Sequence, residues 1–265
     1  MEIRGLEPDV ARNGKAMSTI AEVQSWIASS GRIVVLTGAG ISTDSGIQDF
    51  RGPNGLWTKN PGAEKMATLS HYLSDPEVRR RAWRNRLESP AWQAQPNAGH
   101  RAIADLEARG KLEAVITQNV DGLHQAAGNS PQKVIEIHGT IHEVMCMDCD
   151  ERAPMERALV RVRNGEGDPP CRSCGGILKS ATISFGQSLV EDDLLRSQEA
   201  AENCDLMLAV GSTLSVYPAA NVVPMARQRG ARVVILNAEP TEMDSLAHAL
   251  LRGSISEVLP ELVQA

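Results

Sequence analysis

The stretch that most constrains this chain is residues 33 to 51, IVVLTGAGISTDSGIQDFR. Its first five residues, Ile33 to Thr37, are apolar and largely β-branched. Such a short continuous run predicts a strand buried on both faces of a parallel sheet. Gly38-Ala39-Gly40 follow at once, and glycine serves where the backbone must turn tightly or be approached closely. Ser42, Thr43, Asp44 and Ser45 come next, all residue types that favour helix N-caps. A strand, a glycine turn and a helix start together form an anion site, because free N–H groups and the helix dipole point the same way. A dinucleotide pyrophosphate is the expected guest.

The usual dinucleotide fingerprint is incomplete. Its third glycine would fall at position 43, which is Thr43. The acid expected about 20 residues on, at the end of a second strand, has no strand to end. GIQDFRGPNGLW stands there instead, a polar loop in which Phe50 and Trp57 are expected to be buried. Taken alone, Gly38 and Gly40 fit a plain tight turn equally well.

The chain has 265 residues, enough for one large domain with a smaller insert. Hydrophobic residues at 42% and charged residues at 23% are ordinary for a globular protein. A net charge of -6 argues against a nucleic-acid surface. No apolar run approaches the length of a membrane span. MEIRGLEPDVARNGKAM lacks the apolar core of a signal peptide, so a cytoplasmic protein is expected.

Residues 1–17 read as a tail and 18–30 as a helix. Predicted strands at 112–117, 134–137, 181–185, 205–210 and 233–236 join the first strand, with helices at 97–108, 191–202, 218–228, 244–251 and 256–263. Strands alternating with helices imply an α/β fold: a Rossmann-like parallel sheet with helices on both faces. Residues 61–97, with a helix at 76–87, read as a helical insertion over the sheet edge. The alternation breaks at 141–179, the candidate small zinc-binding domain. The Rossmann-like domain is then 18–140 with 180–265.

Cys146-Met-Asp-Cys149 and Cys171-Arg-Ser-Cys174 are two CxxC pairs separated by 21 residues. Each pair wraps one side of a tetrahedral zinc ion. Four cysteines leave no open coordination position, so the expected metal is structural. Cys204, at the mouth of an apolar strand, is expected in the core.

Polar residues crowd the carboxyl ends of the predicted strands, where open α/β sheets bind ligands. Gln118, Asn119 and Asp121 follow one strand and are costly to desolvate without partners. A helix cap explains part of that stretch equally well. His138 and Gly139 end the next strand, and His138 there is a candidate base. Gly211-Ser212-Thr213 and Asn237 end two more.

GAGIS at 38–42, GIxDFR at 46–51, TQNxDxLH at 117–124, HG at 138–139 and the paired CxxC motifs occur in the order found in sirtuins, NAD-dependent protein deacylases. The chain resembles that family from residue 33 almost to its end. The resemblance implies that NAD lies between the Rossmann-like domain and the zinc domain, under a loop. It implies that Gly38, Ala39 and Gly40 cradle the phosphates, with Ser42 beside them. Asp49, Phe50 and Arg51 would belong to the cofactor loop. Gln118, Asn119 and Asp121 would surround the ribose and nicotinamide, with His138 as general base and Asn119 catalytic beside it. Gly211, Ser212, Thr213, Asn237 and the Gly253-Ser254-Ile255 turn would meet the adenosine half. Phe185 and Gly186 would lie along an acyl-lysine peptide. The implied reaction passes the acyl group to ADP-ribose and releases nicotinamide.

Two departures bear on specificity. Phe185-Gly186-Gln187 stands where the family has FGE, losing a carboxylate at the peptide groove. That leaves ADP-ribosyl transfer on the same fold as an alternative; a zinc-ribbon binding module without catalysis is a third reading. Sirtuins preferring acidic acyl chains carry a Tyr and an Arg three residues apart, and the nearest match is Trp83 and Arg86. Arg86 stands among Arg79, Arg80, Arg81 and Arg84, which favours a solvated helix face.

Overall fold

A computed structural model of the chain describes residues 19–50, 52, 55–59 and 65–264. The tail at 1–17, Arg51, residues 61–64 of the expected insertion and the side chain of Trp57 lie outside that description.

Helix α1 (Ile20–Ser29) opens with a capping box between Thr19 and Glu22 and leads into β1 (Ile33–Thr37), buried at every position. Short helices α2 (Leu56–Lys59) and α3 (Leu69–Ser74) precede α4 (Pro76–Leu87). Asp75 caps α4 and Pro76 begins it, as a proline lacking an N–H does without cost. Then come α5 (Ala98–Ala108), β2 (Leu112–Thr117), α6 (Leu123–Ala127), β3 (Val134–Glu136) and β4 (Gly139–Cys146). Next are β5 (Arg152–Pro154), α7 (Met155–Arg163), β6 (Leu178–Thr182), α8 (Glu191–Asn203) and β7 (Leu206–Val210). The chain closes with α9 (Val222–Gln228), β8 (Arg232–Leu236), β9 (Ala249–Leu251) and α10 (Ile255–Val263).

Six strands form one parallel sheet in the order β3-β2-β1-β7-β8-β9. Ranked by sequence, that is the 3-2-1-4-5-6 order of a Rossmann sheet. The order reverses between β1 and β7, where Thr37 pairs with Val210. Gly38 and Gly211 therefore leave the sheet side by side. The continuous apolar run of β1 has a direct cause. Ile33 and Val35 pack with Val23, Ile103 and Leu259 of α1, α5 and α10. Val34 and Leu36 pack with Ala201 and Val223 of α8 and α9 on the other face. Each such aliphatic side chain contributes about 1.5–3 kcal/mol when fully buried.

A second sheet, β5-β4-β6, is antiparallel. Its own apolar cluster joins Val144, Met155, Leu159 and Leu178 to Trp83 of α4. Among the described residues, no helix is long and apolar enough to cross a membrane.

Several expectations change. The strand expected at 181–185 is β6, and it belongs to the second sheet rather than the parallel one. Past Thr182 the chain instead makes an isolated bridge from Phe185 to Thr68. The helix expected at 244–251 is a 3-10 turn followed by edge strand β9. The start after the glycine turn is a 3-10 helix, Ala39–Ser45. Phe50 is exposed, at 42%. Arg86 is half-buried, its guanidinium carbon 4.9 Å from the Trp83 ring and 5.3 Å from the Tyr72 ring. Stacking on two rings, not solvation, decides its place.

Candidate active site

Two glycine turns meet backbone to backbone at the switch point. A Cβ on Gly38 would stand 2.7 Å from Gly211 O, and one on Gly40 would stand 2.8 Å from Gly211 Cα. Gly211 has φ +64, and its own Cβ would fall 2.5 Å from Ile41 N. Only glycine permits this approach. Ala39 opens the 3-10 helix, whose N-terminus has no side-chain cap. The Gly38, Gly40 and Ile41 N–H groups are donated to Val210 O, Gly211 O and Gly38 O, so it is the bare glycine surface at the helix start that suits the close approach of an anionic pyrophosphate.

Ser42, 1% exposed, donates to Asp121 Oδ2 at 2.7 Å, and Asp121 Oδ1 accepts from Leu123 N. Asn119 Nδ2 donates to Gly38 O and to Ser42 Oγ, both at 3.1 Å. A carbonyl only accepts, so the amide nitrogen faces inward and Oδ1 faces the open side. Desolvation of Asp121 is thus offset by bonds to both carboxylate oxygens, and that of Asn119 by the two bonds of its Nδ2.

Gln118 is the hub of the site. Its N–H donates to Thr37 O at 2.9 Å. Its side-chain Nε2 donates to Ser212 Oγ at 2.9 Å. Its carbonyl lies 3.1 Å from His138 Nδ1. The ends of β1, β2, β3 and β7 are thereby tied into one rim. Because Gln118 O cannot donate, His138 Nδ1 carries the proton and Nε2 presents a lone pair. Burial pushes the His138 pKa below its ordinary 6.5, opposed by the bond to Gln118 O. His138 is therefore neutral, and a proton acceptor, at neutral pH.

Beneath the rim is a polar layer that motif reading did not assign. Thr37 Oγ1 lies 2.8 Å from Thr117 Oγ1 and 2.9 Å from His124 Nε2. The His124 and His100 rings are 5.0 Å apart, and His100 Nε2 lies 3.5 Å from Ser42 Oγ. Burial lowers the pKa of His124 to about 3 and of His100 to about 4. His100 had a signal available: Asn97 and His100 form the capping box of α5, a polar pair on an otherwise apolar helix face.

The other expected residues lie around this centre. Thr213 Oγ1 bonds Ser215 Oγ at 2.8 Å. Asn237 N donates to Leu251 O, and Asn237 Nδ2 to Glu239 O. Ile255 covers Gly211, its Cδ1 2.9 Å from where that Cβ would be. Asp49 organises its own loop, accepting from Gly52 N and, through its carbonyl, from Leu56 N. Phe185 pairs through its backbone with Ala67 and Leu69. Two residues before Phe185, Ile183 N donates to His138 O at 2.8 Å. Gly186 follows with φ +81.

The four cysteines cluster in the second lobe, every Sγ within 4.8 Å of the others. Cys146 and Cys174 Sγ are 3.4 Å apart, Cys149 and Cys171 Sγ 3.9 Å. Zinc–sulfur bonds of about 2.3 Å in a tetrahedron require about 3.8 Å between sulfurs. Asp148 N and Gly176 N donate to Cys146 and Cys174 Sγ, as backbone amides do to ligating thiolates. The donor set fits a structural zinc ion. Cys204 is apart from it, its thiol on Ala201 O and its pKa pushed up to about 11 by burial.

A Rossmann sheet whose switch point is tied to a neutral histidine, with a second sheet that carries four clustered cysteines, defines a nucleotide-binding α/β protein with a metal site. The Sir2 family model matches residues 38–218, and the chain belongs to that family, the sirtuins. An NAD-dependent protein deacetylase 2 of Streptomyces coelicolor is 50% identical over 232 residues, covering 88% of this chain and 96% of that one. An NAD-dependent protein deacetylase of Rhodopseudomonas palustris is 41% identical, covering 93% and 96%. A solved Sir2 variant with a deacetylated p53 peptide and 3'-O-acetyl ADP ribose is 34% identical with a TM-score of 0.85, covering 93% and 98%.

Proposed function

We propose that the chain is an NAD-dependent protein lysine deacylase, most simply a deacetylase. The observation that carries it is the Gln118 hub, which binds the glycine turns and His138 into one rim. The names of the relatives and the acetyl ADP ribose beside the Sir2 peptide support the same reading. NAD, when bound, supplies the ribose carbon that accepts the acyl group and the nicotinamide that leaves.

This chain's residues then divide the work. Gly38, Ala39 and Gly40 receive the phosphates. Asn119 Oδ1 and the Asp121–Ser42 pair face the ribose and nicotinamide. His138 Nε2 takes a proton from a ribose hydroxyl, a step for which a base neutral at pH 7 is suited. Ser212, Thr213, Asn237 and Ile255 meet the adenosine half. Asp49, Phe50 and Arg51 form the loop that excludes water, and Phe185 with Gly186 lines the acyl-lysine segment. Cys146, Cys149, Cys171 and Cys174 hold one structural zinc. The proposal keeps the division into 18–140 with 180–265 and 141–179, with β4 and β6 of the second sheet running across the two boundaries.

Acetyl-lysine peptide with NAD should release nicotinamide. His138→Ala should lower that rate about 100-fold or more, the usual worth of a general base. Undiminished release in the variant would reject the assignment. Labelled NAD separates the alternative: label fixed on protein means ADP-ribosyl transfer, and label in O-acyl-ADP-ribose means deacylation.

A second reading concerns the acyl group. Arg86, half-buried on Trp83 and Tyr72, donates to Tyr72 Oη at 3.4 Å and has no carboxylate partner among the described residues. A half-buried guanidinium without a carboxylate suits an acidic acyl chain. Faster turnover of succinyl-lysine than acetyl-lysine peptide would favour it.

A further inference from the structure

The first residues of β4 lie against the Gln118–Gly122 loop. Ile141 N donates to Val120 O at 3.0 Å. One residue on, His142 Nε2 is 2.9 Å from Asp121 O. A carbonyl only accepts, so His142 Nε2 carries the proton. Gly122 (φ +72) leaves room for the ring, since a Cβ there would fall 2.6 Å from His142 Nε2. Trp92 meets the imidazole edge-to-face at 5.8 Å, and the indole N–H of Trp92 is itself fixed on Arg86 O. The ring of His142, an exposed residue, thus rests between a tryptophan and a bare α-carbon.

We propose that His142 is a positioning residue for NAD binding, acting through the Asp121–Gly122 peptide. This rests on the deacylase reading for what the cleft binds. The two carboxylate oxygens of Asp121 are used by Leu123 N and Ser42 Oγ. Its carbonyl depends on the imidazole of His142. Gly122, the next residue, has the widest backbone freedom of any residue type. Without the donor at 142, that peptide loses its fixed orientation. The Asp121 carboxylate then leaves Ser42, and Ser42 no longer orients the amide of Asn119. The effect falls on the nicotinamide end of the cleft and spares the acyl-peptide side, which is built from Phe185 and its neighbours.

Two variants separate the donor from the ring. His142→Phe keeps a ring against Trp92 and removes the N–H. His142→Gln restores an N–H at similar reach without the ring. NAD affinity is measured by calorimetry without peptide, followed by KM for NAD and for acetyl-peptide. His142→Phe should weaken NAD binding about tenfold, the worth of one well-held hydrogen bond, with peptide KM changed by less than about twofold. His142→Gln should recover most of the affinity. Unchanged NAD affinity in His142→Phe, or an equal loss in His142→Gln, overturns the inference while leaving the deacylase reading intact. A fall in unliganded melting temperature with NAD and peptide constants worsened alike also overturns it, because that is a general structural defect. Wild-type protein that binds no NAD overturns both.

Discussion

His138 and Cys146 stand at the two ends of one strand: His138 immediately precedes the first residue of β4, and Cys146 is its last. Partner strand β6 pairs with both ends, Thr182 opposite Gly139 and Leu178 opposite Cys146, with the register broken between Gly139 and Val144. Gly139 leaves no slack, since a Cβ there would lie 2.0 Å from Ala181 O. Loss of the cysteine end would therefore loosen the one strand whose other end holds His138. Metal removal should lower melting temperature and nicotinamide release together. Elemental analysis should find one zinc per chain. Cys146→Ser should reproduce the chelator, whereas Cys204→Ser should keep both metal and activity. Full activity in zinc-free protein would break the link.

The pH profile tests the base. Burial lowers the His138 pKa from 6.5. Above its folded pKa the ring is neutral and able to accept a proton. As pH falls through that value it protonates and activity is lost. The acid limb of kcat/KM, which reports the free enzyme, should therefore lie below pH 6.5. A limb centred above pH 6.5, shifting when His138 is replaced, would contradict the burial argument.

How far these features could be read from sequence depended on how local their causes are. β1 was legible because burial on both faces writes a continuous apolar run. β9 was not, because three residues at a sheet edge carry no period, and His248-Ala-Leu-Leu fits a helix equally well. β6 was misplaced because Lys179 and Ser180 are polar yet buried, 1% and 3% exposed. Site residues at strand ends were legible as motifs. Their pairings were not: Ser42 and Asp121 are 79 positions apart, and nothing in either neighbourhood names the other. The arginines of α4 look alike in sequence, yet contacts separate them. Arg79 pairs with Asp168 at 2.7 Å, Arg86 stacks on two rings, and Arg80, Arg81 and Arg84 face solvent.

The buried imidazoles make acid sensitivity a property of the site floor. His124 has a folded pKa of about 3 and His100 of about 4, against 6.5 for the ordinary side chain. Above pH 6.5 both states are neutral and no penalty exists. Below it the unfolded chain binds protons that the folded one refuses, so stability falls with falling pH. His124→Gln, which can still bond Thr37, removes one such group. It should cost about 1–3 kcal/mol at pH 7 and lose stability less steeply between pH 6 and pH 4. Urea unfolding across that range is the measurement. Curves for the two proteins that run parallel would exclude His124 as a source of the slope.

Lys179 sets the opposite limb. Its ammonium donates to Ser180 O and Thr182 O, and the charge that acts on it is another cation, Arg86. Burial, with Arg86 adding to it, lowers its pKa from 10.5 to about 7. Below pH 7 both states are protonated, and the fold bears the cost of an unpaired buried cation. Between pH 7 and 10.5 the unfolded chain holds a proton the folded chain has released, so stability contributed here rises with pH. Lys179→Met removes that cost and also two bonds to strand carbonyls, so its effect at a single pH mixes two terms. The pH dependence does not. Relative to wild type, the variant should be most favoured near pH 6–7 and lose on the order of 3 kcal/mol of that advantage by pH 10. A stability difference independent of pH would show that Lys179 keeps its proton in the fold.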